Sequence, residues 1–172
     1  MKKNISINPL EKIDEIISLF KYYNPKIFSN LDKGYEWIME NDSKCIVFFN
    51  PYSDNNLTIN VGDMGEFTLY FNNLHTHYLP YQTEYEYLID TIKNILENNV
   101  CCGYIEDKNG EWYGSKIFEK HEIDSNYNES FDFIFNHKEF YNKLNKNGYV
   151  VNFIFWNPIY NIKKNRKGDI YV

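Results

Sequence analysis

The sequence predicts an α+β fold, with a mainly antiparallel sheet and helices packed on one face. Three observations carry that reading. Short apolar or alternating runs recur at 45–49, 57–61, 66–71, 100–106, 111–118 and 149–156, each of strand length and bounded by turn residues. Most neighbouring runs are joined by hairpin-sized loops, whereas parallel strands need long crossovers. Helical periodicity is confined to a few stretches, the clearest at 83–97, so helices are added to the sheet rather than interleaved with it.

Residues 9–22 form the first expected helix. Pro9 suits a first helical turn. Leu10, Ile13, Ile16, Ile17 and Phe20 follow i, i+3, i+4 spacing, and Asn24-Pro25 ends the element. A second helix is expected over 30–41, with Leu31, Tyr35, Ile38 and Met39 inward and Trp37 toward an edge. The period then changes to that of strands. Cys45–Phe49 is continuously apolar, Leu57–Val61 alternates, and Gly62-Asp63-Met64-Gly65 fits a hairpin loop returning into Glu66–Phe71.

A polar loop is expected over 72–82, carrying His75, His77, Tyr78 and Tyr81. Thr83-Glu84-Tyr85-Glu86 matches a capping box at the head of the 83–97 helix. Tyr85, Leu88, Ile89, Ile92, Ile95 and Leu96 supply its apolar stripe. Asn109-Gly110 marks a hairpin between 100–106 and 111–118. Residues 120–130 read as loop, 131–135 as a strand, 138–146 as a helix ended by Gly148, and 149–156 as a strand. The basic run Lys163-Lys164-Asn165-Arg166-Lys167 reads as a solvated turn before an edge strand at 169–172.

At 172 residues the chain is expected to be a single domain, 1–172, with enough length to bury a core unaided. Hydrophobic residues make up 43% and aromatic residues 19%, which excludes a disordered chain. The absence of alanine and the single arginine, Arg166, indicate a compositional bias of the coding sequence rather than a function. The net charge of −6 repels phosphate backbones and argues against nucleic acid, while it suits a basic protein partner. Cys45, Cys101 and Cys102 have no zinc spacing and no CxxC motif, so they read as buried hydrophobes in a reducing compartment. Met-Lys-Lys is followed by no apolar stretch, and no run approaches a membrane span. A cytoplasmic location, without membrane association, is the expectation.

Chemistry is sought first at His75 and His77. On an extended segment the two share a face and could share a metal. A zinc or iron site needs further ligands. Asp63, Glu66, Glu84, His121 and His137 are available, but no spacing selects one. The alternative function is therefore a small metal-dependent hydrolase or cupin-like metal binder using His75 and His77. No Gly-x-Ser-x-Gly elbow and no glycine-rich phosphate loop is present. No catalytic set and no cofactor is expected. A recognition surface of Asp63, Glu66, Tyr70, His75, His77, Tyr78, Tyr81 and Glu84 suits these residue types better, because aromatic side chains favour protein interfaces.

Gly65-Glu66-Phe67-Thr68-Leu69-Tyr70-Phe71 leads into His75-Thr76-His77-Tyr78. The 83–97 helix and the Asn109-Gly110-Glu111-Trp112-Tyr113-Gly114-Ser115 hairpin follow. In these features the chain resembles the small immunity proteins of bacterial polymorphic-toxin systems. The resemblance covers about a third of the chain. It implies an acidic, cytosolic α+β protein that neutralises a cognate toxin by direct binding. The implied partner is that toxin protein, and the negative charge suits a basic one.

Overall fold

Alternating apolar side chains in Leu57–Val61 and Phe67–Phe71 form the centre of the first of two antiparallel sheets. In the computed structural model, which describes residues 4–123 and 131–166, the chain folds into α+β units divided between Lys93 and Asn94. Where one sheet is expected from the sequence, there are two.

The first unit holds β1 (Lys26–Phe28), β2 (Lys44–Phe48), β3 (Leu57–Val61), β4 (Phe67–Phe71) and β5 (Leu74–Tyr78). They pair in sequence order, each antiparallel to the last. Ile46, Phe48, Leu57, Ile59, Phe67, Leu69 and Phe71 are fully buried. Helices α1 (Ile13–Leu19) and α2 (Gln82–Leu96) belong to the same unit, the last turn of α2 passing its boundary. Phe20, just past α1, meets Phe48 edge to face at 5.8 Å, and Tyr85 of α2 meets Phe67 at 5.6 Å.

The second unit holds β6 (Val100–Asp107), β7 (Trp112–Glu119), β8 (Tyr149–Ile154) and β9 (Ile162–Arg166), in sheet order β7-β6-β8-β9. Helices α3 (Asp132–Phe135) and α4 (Lys138–Asn147) cover one face. Phe118, Phe131, Ile134, Leu144, Val151 and Phe153 form their common core. The β6–β7 turn is organised by Asp107, 2% exposed. Its carboxylate accepts from the backbone N–H of Asn109 (2.8 Å) and Glu111 (3.0 Å), and from the Asn147 amide (3.2 Å).

Several expected elements differ. Residues 30–41 form successive i→i+3 turns instead of a helix. Gly34 has φ +92° there, which an α-helix cannot contain, and Asp32 accepts from the Ser29 N–H and hydroxyl. The first helix is split, with 3₁₀ turns at Pro9–Lys12 and Lys21–Tyr23 flanking α1. The 72–82 loop contains β5, because Asn72 takes a left-handed conformation (φ +52°) and closes a two-residue turn. The 131–135 strand is instead α3. Its short apolar run fits either period, and Phe131 and Ile134, three residues apart, both reach the core.

The capping box does not form either. Gln82 already starts the helix, Thr83 donates to Asn4, and Gln82 donates to Glu86. Lys163–Arg166 lies in β9 rather than in a turn. The strand expected at 169–172 lies outside the described residues, as does 124–130 of the expected loop. Among the described residues, no helix is long and apolar enough to cross a membrane.

Gly103 in β6 is required by packing. A Cβ there would lie 2.4 Å from the Phe118 ring and 3.2 Å from Phe153. Gly103→Ala is expected to lower the unfolding free energy by about 1–3 kcal/mol, the range for overpacking a core. Urea titration checks this, and a change within about 0.5 kcal/mol of zero, typical of neutral surface sites, would contradict it.

Candidate functional site

Strand register sorts the first sheet into two faces. Asn60 pairs with Thr68, Thr68 with His77, and Tyr70 with His75. Directly paired residues share a face, so Asn60, Thr68, Tyr70, His75 and His77 stand together, opposite Phe67, Leu69 and Phe71. Residues 29–43 cross part of the same face. Tyr35 stacks on Phe28 with ring centroids 4.1 Å apart, and Ile38 packs with Cys45 and Val47. Trp37 then meets Tyr70 edge to face at 5.8 Å. Cover by this segment thus gives way to the His-bearing strands.

Asp63 fixes that boundary. It is 7% exposed. Its carboxylate accepts from the backbone N–H of Met39 (3.1 Å) and Glu40 (2.9 Å) and from the Asn60 amide (2.6 Å). Glu40 answers by accepting from the Met64 N–H at 3.0 Å. Burial alone would push the Asp63 carboxyl up. The hydrogen bonds from the Asn60 amide, the Glu40 N–H and the Met39 N–H outweigh it and hold the group below its ordinary range. The turn beneath needs Gly62, at φ +104°, where a Cβ would lie 2.7 Å from a Leu10 methyl.

Beside the clamp, His77 Nδ1 lies 2.5 Å from Glu66 Oε1 and 3.2 Å from Thr68 Oγ1. An ionised carboxylate only accepts, so Nδ1 is the donor toward Glu66. Both oxygens converge on one ring nitrogen. A nucleophile relay needs the carboxylate and the hydroxyl on opposite nitrogens, so this arrangement orients the imidazole without activating Thr68. His75 continues the surface, 5.6 Å from the His77 ring and 6.4 Å from Tyr70. Trp37, Met39, Asn60, Asp63, Met64, Glu66, Thr68, Tyr70 and His77 line a pocket of ≈ 150 Å³.

Among the expected site residues, Glu66, Tyr70 and His77 meet at this pocket, and His75 flanks it. Asp63 lines it, but its carboxylate is committed to the clamp. Tyr78 lies on the opposite face, 6% exposed, and its hydroxyl donates to Thr91. Tyr81 takes part in a backbone bridge to Ser6 ahead of α2, and Glu84 is in the first turn of that helix. Neither lines the pocket. Trp37, Met39, Met64, Asn60 and Thr68 were not among the sequence candidates. The available signal was the apolar Trp37 and Met39 immediately ahead of a polar turn.

Among the described residues no three His, Cys, Asp or Glu side chains are grouped to hold an ion. His121 sits 3.2 Å from Glu119, and His137 packs on Phe140. The cysteines are buried. Burial and the nearby Asp63 push the Cys45 thiol up to about 12, and burial raises Cys101 as well, which leaves neither as a thiolate nucleophile.

No family model, no curated protein and no solved structure matches this chain.

Asp63→Ala leaves two backbone N–H groups without their acceptor. At neutral pH it is expected to cost about 2–3 kcal/mol, in the range for hydrogen bonds to a charged group. The wild-type contribution is complete above the ordinary carboxyl value of 3.8 and is lost as pH falls through the lowered folded-state value. The stability gap between wild type and variant should therefore narrow in acid. Denaturant titrations from pH 7 to pH 2.5 check this, and a gap unchanged across that range would contradict it.

Proposed function

We propose that the chain is a non-catalytic binding protein, a cytosolic immunity protein that neutralises a cognate bacterial toxin by direct contact. One observation carries the reading. Trp37, Met39, Met64 and Tyr70 are respectively 46, 70, 75 and 36% exposed around a single pocket. Aromatic and methionine side chains are enriched at protein interfaces, and a cluster of them left in water favours a partner.

The scaffold supports that use. β4 and β5 are hydrogen-bonded strands, and the 37–40 wall is tied down by Asp63. Such a surface loses little freedom on binding. The pocket also falls below the ~300–1,000 Å³ of small-molecule sites, which favours one side chain of a macromolecule over a substrate. Neutralisation follows if the bound surface covers the toxin's active site or blocks its substrate. The overall negative charge speeds encounter with a basic toxin.

Co-expression with the product of the neighbouring gene tests the proposal. The expected result is rescue of growth and a stable complex on purification. Trp37→Ala or Tyr70→Ala should weaken that complex about 30-fold or more, the ~2 kcal/mol of an interface hot spot. Absence of both complex and rescue would overturn the reading.

A further inference from the structure

We propose that the pocket between Trp37, Tyr70 and Glu66 receives a lysine side chain of the partner protein. This rests on the protein-binding reading above and names the chemistry of its central contact.

Three features point to a cation. The first is the wall composition. Trp37 and Tyr70 supply aromatic rings, Met39 and Met64 supply apolar bulk, and no Lys or Arg among the described residues lines the pocket. Aromatic faces attract ammonium groups through their quadrupole, and Trp does so best. The methionines suit the aliphatic stem that carries the charge.

The second is the sign of the field. Asp63 and Glu66 are both in the lining. Glu66 engages His77 through Oε1, which leaves Oε2 able to accept from an incoming donor. The phenol of Tyr70 responds to the same environment. Burial pushes it up, and the neighbouring Asp63 and Glu66 carboxylates push it further.

The third is an unanswered acceptor. Asn60 is 4% exposed and lines the pocket. Its amide N–H is used by Asp63, but its Oδ1 has no hydrogen-bond partner among the described residues. Buried polar atoms are normally paired, and an exception calls for a ligand or a water. An acceptor without a partner calls for a donor. A lysine ammonium brings three donors and no acceptor, which matches a lining that offers the Asn60 Oδ1 and Glu66 Oε2 acceptors.

Size limits the occupant to a single side chain. At ~30 Å³ per water, the ≈ 150 Å³ pocket holds about five waters, room for the end of one side chain.

The experiment is an NMR titration of the free, full chain with n-butylammonium chloride, which mimics the lysine side chain. n-Butanol serves as the uncharged probe of the same shape. Butylammonium should shift the Trp37 indole resonance saturably in the millimolar range, with butanol at least tenfold weaker. Glu66→Gln and Trp37→Leu should each weaken butylammonium binding about tenfold. Glu86→Gln with Asp90→Asn, a charge change on exposed α2 positions, should leave it unchanged. No saturable shift at Trp37, equal binding of butanol, or equal loss in the α2 variant would overturn the lysine assignment. None of those outcomes depends on a partner. A complex that forms with the neighbouring gene product while the titration fails therefore refutes the pocket chemistry and leaves the binding role standing.

Discussion

A buried carboxylate held by two backbone N–H groups and a side-chain amide is the constraint around which the outer face of the first unit is arranged. Asp63 draws two backbone N–H groups and a side-chain amide from segments more than 20 residues apart in sequence or across one turn. Burying an ionised carboxylate without donors is costly, so these hydrogen bonds hold the 39–40 backbone against it. The segment that contributes Met39 and Glu40 has no helix or strand of its own to hold it. Asp107 plays the corresponding part in the second unit, closing the β6–β7 turn and reaching Asn147 at the end of α4. Each unit therefore relies on one aspartate to join a hairpin turn to a distant segment.

The clamp decides what the outer face of the first sheet looks like. Ile38 is drawn onto Cys45 and Val47, while Trp37 is delivered to the edge of Tyr70. Beyond that edge the strands remain uncovered, and Glu66 fixes the His77 ring. The result is a small recess lined by Trp37, Met39, Met64 and Tyr70 together with the Asp63 and Glu66 carboxylates. Its exposed rings and methionines would be a liability on a surface with no partner. That tension between a well-ordered scaffold and an unsheltered apolar surface motivates a binding role.

Much of this was legible in the sequence, for identifiable reasons. Leu57–Val61 and Phe67–Phe71 alternate cleanly, with the Gly62 to Gly65 turn between them, so the hairpin followed from period and turn chemistry, while the register did not: Val61 pairs with Phe67, and Glu66 belongs to the loop. Asn109-Gly110 marked the second hairpin in the same way. His75 and His77 were expected on one face, and they are. The 30–41 helix failed because Tyr35 and Ile38 keep a helical spacing while Gly34, at positive φ, cannot belong to a helix. The tight turns present only Tyr35 and Ile38 to the sheet, whereas Leu31 and Met39, also expected inward, are exposed. Tyr78 was misplaced by parity. Once Asn72-Asn73 is a two-residue turn, Leu74, Thr76 and Tyr78 face the core side and His75 and His77 face out. The role of Asp63 was hidden because an aspartate in a hairpin loop reads as solvated until the donors from Met39 and Glu40 are known.

The central claim is that the Asp63 carboxylate holds the 37–40 wall in place, and amide hydrogen exchange tests it most directly. At neutral pH the Met39 and Glu40 amides should be protected in the wild-type chain. In Asp63→Asn they should exchange far faster, while Ile59 and Leu69 in the sheet stay protected. Equal protection of Met39 and Glu40 in both proteins would contradict the account.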